Sequence, residues 1–91
     1  MANVKIRLFA SIREYVGKEF INYTFNENKT ISDVFNDIPK LKDMCFNSNG
    51  KILNNVNIFL NGKKIDSYSN INIKLNDEDE LTIFPPVAGG I

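Results

Sequence analysis

Residues 3–10 alternate without a break, with Val4, Ile6 and Leu8 on one side and Lys5, Arg7 and Phe9 on the other. A period of two in a run rich in branched side chains specifies a half-buried strand, because neighbours along an extended chain point to opposite faces. Ser11 to Val16 reads as a turn of helix stopped at Gly17, where a left-handed residue ends the helix most cheaply. Residues 19–25 alternate again, Phe20, Asn22 and Thr24 against Ile21, Tyr23 and Phe25, and are expected to hairpin back onto the first strand. A chain that begins this way is committed to a sheet with one apolar face, and that face needs a cover.

The cover follows the polar turn Asn26-Glu27-Asn28-Lys29. Thr30-Ile31-Ser32-Asp33 has the form of a capping box, a hydroxyl for an orphan N–H with an acid three residues on. Ile31, Val34, Phe35 and Ile38 then fall at i, i+3, i+4 and i+7, one face of a helix. Pro39 either halts that helix or opens a second short one through Leu41, Met44, Cys45 and Phe46. After the loop Asn47-Ser48-Asn49-Gly50, Val56–Leu60 reads as a strand, closed by Asn61-Gly62, a strong hairpin signal, with a brief partner strand through Ile65. Residues 70–75 alternate weakly, 76–80 form an acidic turn, and Leu81–Phe84 is a last strand that Pro85-Pro86 must end, since proline cannot donate to a ladder. The expectation is an α+β roll, a mixed sheet of four to five strands packed on one principal helix. The domain would occupy residues 1–84, with an extended tail over residues 85–91.

Composition removes several functions. The 91 residues make one domain's worth of core. Lysine plus arginine number 11 against 11 acids, and the basic residues are dispersed, so no nucleic-acid footprint is expected. No apolar run reaches membrane-spanning length and no signal-peptide pattern is present, so no membrane is expected; the lone Cys45 fits a cytoplasmic address. There is no histidine, which removes the commonest metal ligand and general base; no bound metal or cofactor is expected, nor an enzyme acting alone. Any chemistry would use the main chain or a partner's residues.

The tail suits main-chain chemistry. Pro85-Pro86 favours a stiff extended segment, and Val87-Ala88-Gly89-Gly90 carries little side chain. Such a tail can thread a narrow channel and let backbone approach backbone. The sheet offers a surface beside it. If Val4, Ile6, Leu8, Val56, Ile58, Leu60, Leu81 and Ile83 face the helix, then Phe9, Phe59 and Phe84 point the other way and line the open face as a binding patch.

The front segment Lys5-Ile6-Arg7-Leu8-Phe9-Ala10-Ser11-Ile12-Arg13-Glu14 and the back segment from Asp77 through Phe84-Pro85-Pro86-Val87-Ala88-Gly89-Gly90 resemble the MoaD family, the sulfur-carrying small subunits of molybdopterin synthase within the MoaD/ThiS ubiquitin-like group. The resemblance spans nearly the whole chain and implies a ubiquitin-like β-grasp fold. It implies a cycle in which an E1-like adenylyltransferase forms an acyl-adenylate at the last glycine and sulfur replaces AMP to give a thiocarboxylate. The molybdopterin synthase large subunit then takes the sulfur. On this resemblance Gly90, with Gly89, carries the reaction. Phe9, Phe59, Phe84, Pro85, Pro86 and Val87 meet partners. Nothing is bound permanently, and the AMP and sulfur adducts are transient. A ThiS-like or ubiquitin-like donor or modifier role, and a binding module that is never activated, are the competing readings.

Two positions depart from the family. Glu78 stands in the acidic turn where the family usually has glycine, so that turn is expected to differ locally. Ile91 follows the second glycine and puts the terminal carboxylate on a β-branched residue. Three readings fit: a C-terminal peptidase removes it, the chain is never activated, or the activating partner tolerates it. Cys45 reads as packing and Arg13-Glu14 as a structural ion pair.

Overall fold

The computed structural model describes residues 1–65 and 72–84. In chain order they form β1 (Ala2–Leu8), α1 (Ala10–Val16), β2 (Phe20–Phe25), α2 (Ile31–Asp37), α3 (Pro39–Cys45), β3 (Asn57–Leu60), β4 (Lys63–Lys64) and β5 (Glu80–Phe84). The five strands make one sheet in the order β2-β1-β5-β3-β4. β1 and β5 run parallel at its centre, with Leu8 opposite Ile83, and the other pairs are antiparallel. The parallel pairing puts the last residue of β5 at the same end of the sheet as the last residue of β1.

The period-two pattern sorts the faces as expected. Val4, Ile6, Leu8, Ile58, Leu81 and Ile83 are buried under the helices with Ile12, Ile31, Val34, Phe35, Leu41 and Cys45, and among the described residues no polar one is buried. Leu60, expected to join it, is only half-buried.

The cover is three seven-residue helices rather than one principal helix. α1 ends at Gly17, which adopts φ 85° as its position requires. α2 opens with the capping box: Asp33 N donates to Thr30 Oγ1 at 3.2 Å, and Thr30 N donates to the Asp33 carboxylate at 3.0 Å. Ile38 leaves helical geometry at φ −126°, ψ 82°, because a residue before proline is pushed from the α region. Pro39 then starts α3 at a position whose N–H would have no helical partner anyway. Of the weakly alternating segment 70–75, residues 70 and 71 lie outside the described residues; Lys74 makes an isolated bridge to Thr30, and Leu75 is buried.

The acidic turn holds a further departure from expectation. Glu78 keeps a positive φ, 70°, so the turn has not changed to suit the side chain. Neighbouring hydrogen bonds hold it there: Glu78 N donates to Asn3 O at 2.8 Å, and Asn3 N donates to Asp77 Oδ1 at 2.8 Å. Arg13 pairs with Glu19 at 3.8 Å and not with Glu14, since adjacent helical residues do not face each other.

Candidate functional site

Where β1 and β5 end side by side, the sheet's open face carries three aromatic rings. Phe9 stacks on Phe84 with centroids 4.6 Å apart and planes 14° from parallel. Phe59 meets Phe84 edge-on at 5.7 Å. Both arrangements lie in the range where aromatic rings attract. Local backbone explains the stacking. Phe9 is extended at φ −128°, ψ 154°, and Ala10 turns through φ 51°, so the chain swings from β1 into α1 just after Phe9.

The rings are not core. Phe9 is 37% exposed and Phe84 38%, while Phe59 is half-buried. They share that face with charged side chains and with a fourth exposed ring, Phe20, which stands opposite Arg7 on β2. Arg7 Nε bonds Glu80 Oε2 at 2.6 Å, Lys5 Nζ lies 4.5 Å above the Phe20 ring, and Lys64 stands opposite Phe59 in the β3–β4 hairpin. Apolar rings surrounded by charges form a surface suited to burying a partner's apolar side chains.

The structure thus brings Phe9, Phe59 and Phe84 together at the end of the strand that leads into the tail. Pro85, Pro86, Val87, Gly89, Gly90 and Ile91 lie outside the described residues. Cys45 is fully buried, and burial pushes its thiol up to about 12, which leaves it a packing group. Among the described residues no cluster of three or more potential metal-ligating side chains occurs, and no helix is long and apolar enough to cross a membrane.

Sequence reasoning missed the role of Asn61, which it read only as a turn former. Its side chain accepts from Glu80 N at 2.9 Å and donates to Asp79 Oδ1 at 2.9 Å, tying the hairpin to the start of β5. The readable signal was an Asn able to adopt φ 52° opposite a turn rich in acceptors. A second missed link joins β2 to the end of α2. Tyr23 donates its hydroxyl to the Asp37 carboxylate, which also takes Lys29 Nζ at 3.5 Å. Desolvation, then that hydrogen bond, raises Tyr23 to about 12, while the same bond holds Asp37 below its usual value.

A mixed sheet with its first and last strands parallel at the centre, gripping helices on one face, is the ubiquitin-like β-grasp. Residues 6–90 match the ThiS family, and the chain belongs to it. It is 30% identical to small archaeal modifier protein 3 of Haloferax volcanii over 96% of this chain and 98% of that one. It is 35% identical to the molybdopterin synthase sulfur carrier subunit of Dictyostelium discoideum over 94% of each. A crystal structure of SAMP1 from Haloferax volcanii superposes with a TM-score of 0.79 at 25% identity, covering 98% of this chain and all of that one. A complex of subunits 1 and 2 of the molybdopterin-converting factor from Helicobacter pylori contains a chain matching at TM-score 0.58 and 26% identity, over 97% of this chain and 99% of that one. The chain is therefore a ubiquitin-like sulfur carrier or protein modifier of the ThiS/MoaD group, and not an enzyme by itself.

Proposed function

We propose that this chain carries sulfur on the carboxylate of Gly90, exposed by removal of Ile91, and serves as the small subunit of a molybdopterin synthase. The observation that carries the reading is the half-exposed Phe9–Phe84–Phe59 cluster at the end of β5, one residue before Pro85. A partner that buries those rings sits beside the point where the chain runs on into a tail of proline and small residues.

The chemistry follows from the carboxylate. It is inert as an anion, and an E1-like adenylyltransferase makes it electrophilic: its oxygen attacks the α-phosphorus of ATP and pyrophosphate leaves. A sulfur nucleophile then displaces AMP at the acyl carbon, giving the thiocarboxylate. Glycine at the acyl position leaves that carbon open to attack from either side. This chain, having no histidine, supplies the substrate end and the docking surface; proton transfers fall to the partners.

The test is the intact mass of the protein purified from cells making the cofactor. Loss of one isoleucine together with exchange of one oxygen for sulfur is expected. An unaltered Ile91 terminus in such cells would overturn the removal of Ile91 and leave a chain that is never activated or is activated with Ile91 in place. A modifier role is the second reading, favoured by the likeness to small archaeal modifier protein 3. No lysine or arginine follows Lys74, so tryptic digestion of a conjugate would leave the branch Leu75–Gly90 on a target lysine. Finding that branch supports the modifier role; co-purification of a large synthase subunit supports the carrier role.

A further inference from the structure

The two margins of the sheet are built in opposite ways. The β4 margin is two residues long, and both are lysines, a short charged edge of the kind that resists pairing with another chain. The β2 margin runs six residues, Phe20-Ile21-Asn22-Tyr23-Thr24-Phe25, with no charged residue and no proline. Nothing in its composition blunts it.

The register shows which backbone groups it leaves open. Leu8 N donates to Glu19 O at 2.9 Å, and the paired residues run from Arg7 opposite Phe20 to Ala2 opposite Phe25. Only alternate pairs of an antiparallel ladder exchange hydrogen bonds, so Glu19, Ile21, Tyr23 and Phe25 bond inward to β1. Phe20, Asn22 and Thr24 therefore direct their N–H and C=O groups away from the sheet. Among the described residues no backbone bond outside the strands engages those three.

We infer that β2 pairs antiparallel with β2 of a second copy, Asn22 facing Asn22 across a two-fold axis, to join two sheets into one. The open groups have the symmetry such an axis demands, since residues 20, 22 and 24 are evenly disposed about 22. Opposed residues then share a face, as the pleat requires: Phe20 lies against Thr24 of the second copy, and Ile21 against Tyr23 of the second copy. Charge at the strand's ends agrees. Glu19 is held by Arg13 at 3.8 Å and Lys29 by Asp37 at 3.5 Å. That leaves Lys18 before β2 and Glu27 after it, and antiparallel pairing brings the Lys18 end of one copy to the Glu27 end of the other. β1 separates β2 from β5, so the Phe9–Phe84–Phe59 cluster stays open in both copies. An interface this short gives a weak dimer.

Sedimentation equilibrium of the full chain from about 10 µM to about 1 mM tests the pairing by mass action. A monomer–dimer equilibrium is expected, and Asn22→Lys, which opposes two like charges at the axis, should raise Kd at least about tenfold. Amide exchange on the unsubstituted chain needs no variant: the amides of Phe20, Asn22 and Thr24 should slow as concentration rises, and those of the β4 margin should not. A monomer throughout the range overturns the inference. So does a dimer indifferent to Asn22→Lys whose β2 amides exchange freely. Protection of those amides by an extended peptide of another protein, with the chain itself monomeric, likewise overturns it in favour of strand addition by that partner.

Discussion

The two ends of β5 carry the most conspicuous side chains of the molecule, and they are used in opposite ways. At the starting end, Asp77, Asp79 and Glu80 look from their charge like a surface offered to a basic partner. Each is instead engaged inside the chain: Asp77 with Asn3 N, Asp79 with Asn76 N and Asn61 Nδ2, and Glu80 with Arg7. At the finishing end, Phe84 and Phe9 are as apolar as any core residue and are more than a third exposed. The lesson concerns unmet demand. A charge whose hydrogen bonds are made is structure, and a stacked ring left in water still has apolar surface to bury.

The sharpest way to break the comparison is Phe84→Asp. At the finishing end this change should weaken binding of the partner that receives the tail about a hundredfold, the loss expected when a central aromatic anchor becomes a charge. Folding should survive, with a thermal midpoint lowered by about 5 °C for the lost ring contacts. Titration calorimetry against the partner and thermal melting measure the two effects separately. Global unfolding would show that Phe84 belongs to the core and that the ends are not opposed.

The starting end should answer in the reverse sense. Asn61→Ala removes both side-chain bonds to the turn and leaves a β-carbon at φ 52°, with an expected cost of about 1.5 kcal/mol in urea unfolding. Asn61→Gly keeps the backbone conformation at lower strain and should cost about half as much. Partner affinity should not change in either variant. A loss of affinity without loss of stability would mean that the acidic turn is a second docking surface.

Most of the fold was legible because its signals are local. The alternation of β1, the Thr30–Asp33 box, Gly17 and Asn61-Gly62 each act through neighbours in sequence, and all appear where the pattern puts them. The helical layer was harder, because Pro39 ends α2 and begins α3 by the same steric rule, and only packing shows that both occur. The three phenylalanines were readable from strand parity alone. What could not be read were links between residues far apart in the chain: Asn61 to Glu80, Asn3 to Asp77, and Tyr23 to Asp37. Those depend on which strands become neighbours, and polar side chains carry no periodic signal of that choice. Glu78 was misjudged for a related reason, since hydrogen bonds to a distant strand hold it where its own preference would not.

The Tyr23–Asp37 link bears on the comparison because it is a tied polar group away from both ends of β5. Tyr23 lies near 12 when folded and near 10 when unfolded, so its contribution is complete below pH 10 and is lost as pH rises toward 12. Asp37 is lowered on folding, first by the Tyr23 hydroxyl, so its contribution is present above the ordinary carboxylate range and is lost as pH falls through the folded value. Denaturation midpoints of the unsubstituted chain and Tyr23→Phe, measured across pH, should differ most near neutrality and converge at both extremes. A constant difference would show that the hydroxyl contributes through packing and not through its proton.

The smallest expected effect probes how firmly the starting end is held. Glu78 occupies φ 70° without the freedom of glycine, at a backbone cost of roughly 1 kcal/mol. Its N–H still donates to Asn3 O after substitution, so Glu78→Gly keeps the turn's hydrogen bond while removing the clash. Part of the gain is offset by the larger conformational entropy of glycine in the unfolded chain, leaving about 0.5 kcal/mol of added stability in urea unfolding. That gain should leave partner affinity untouched, because the strain sits at the end of the sheet that is already satisfied. If Glu78→Gly instead weakened binding, the strained turn would be setting the position of β5 and hence of Phe84, and the two ends would be one device.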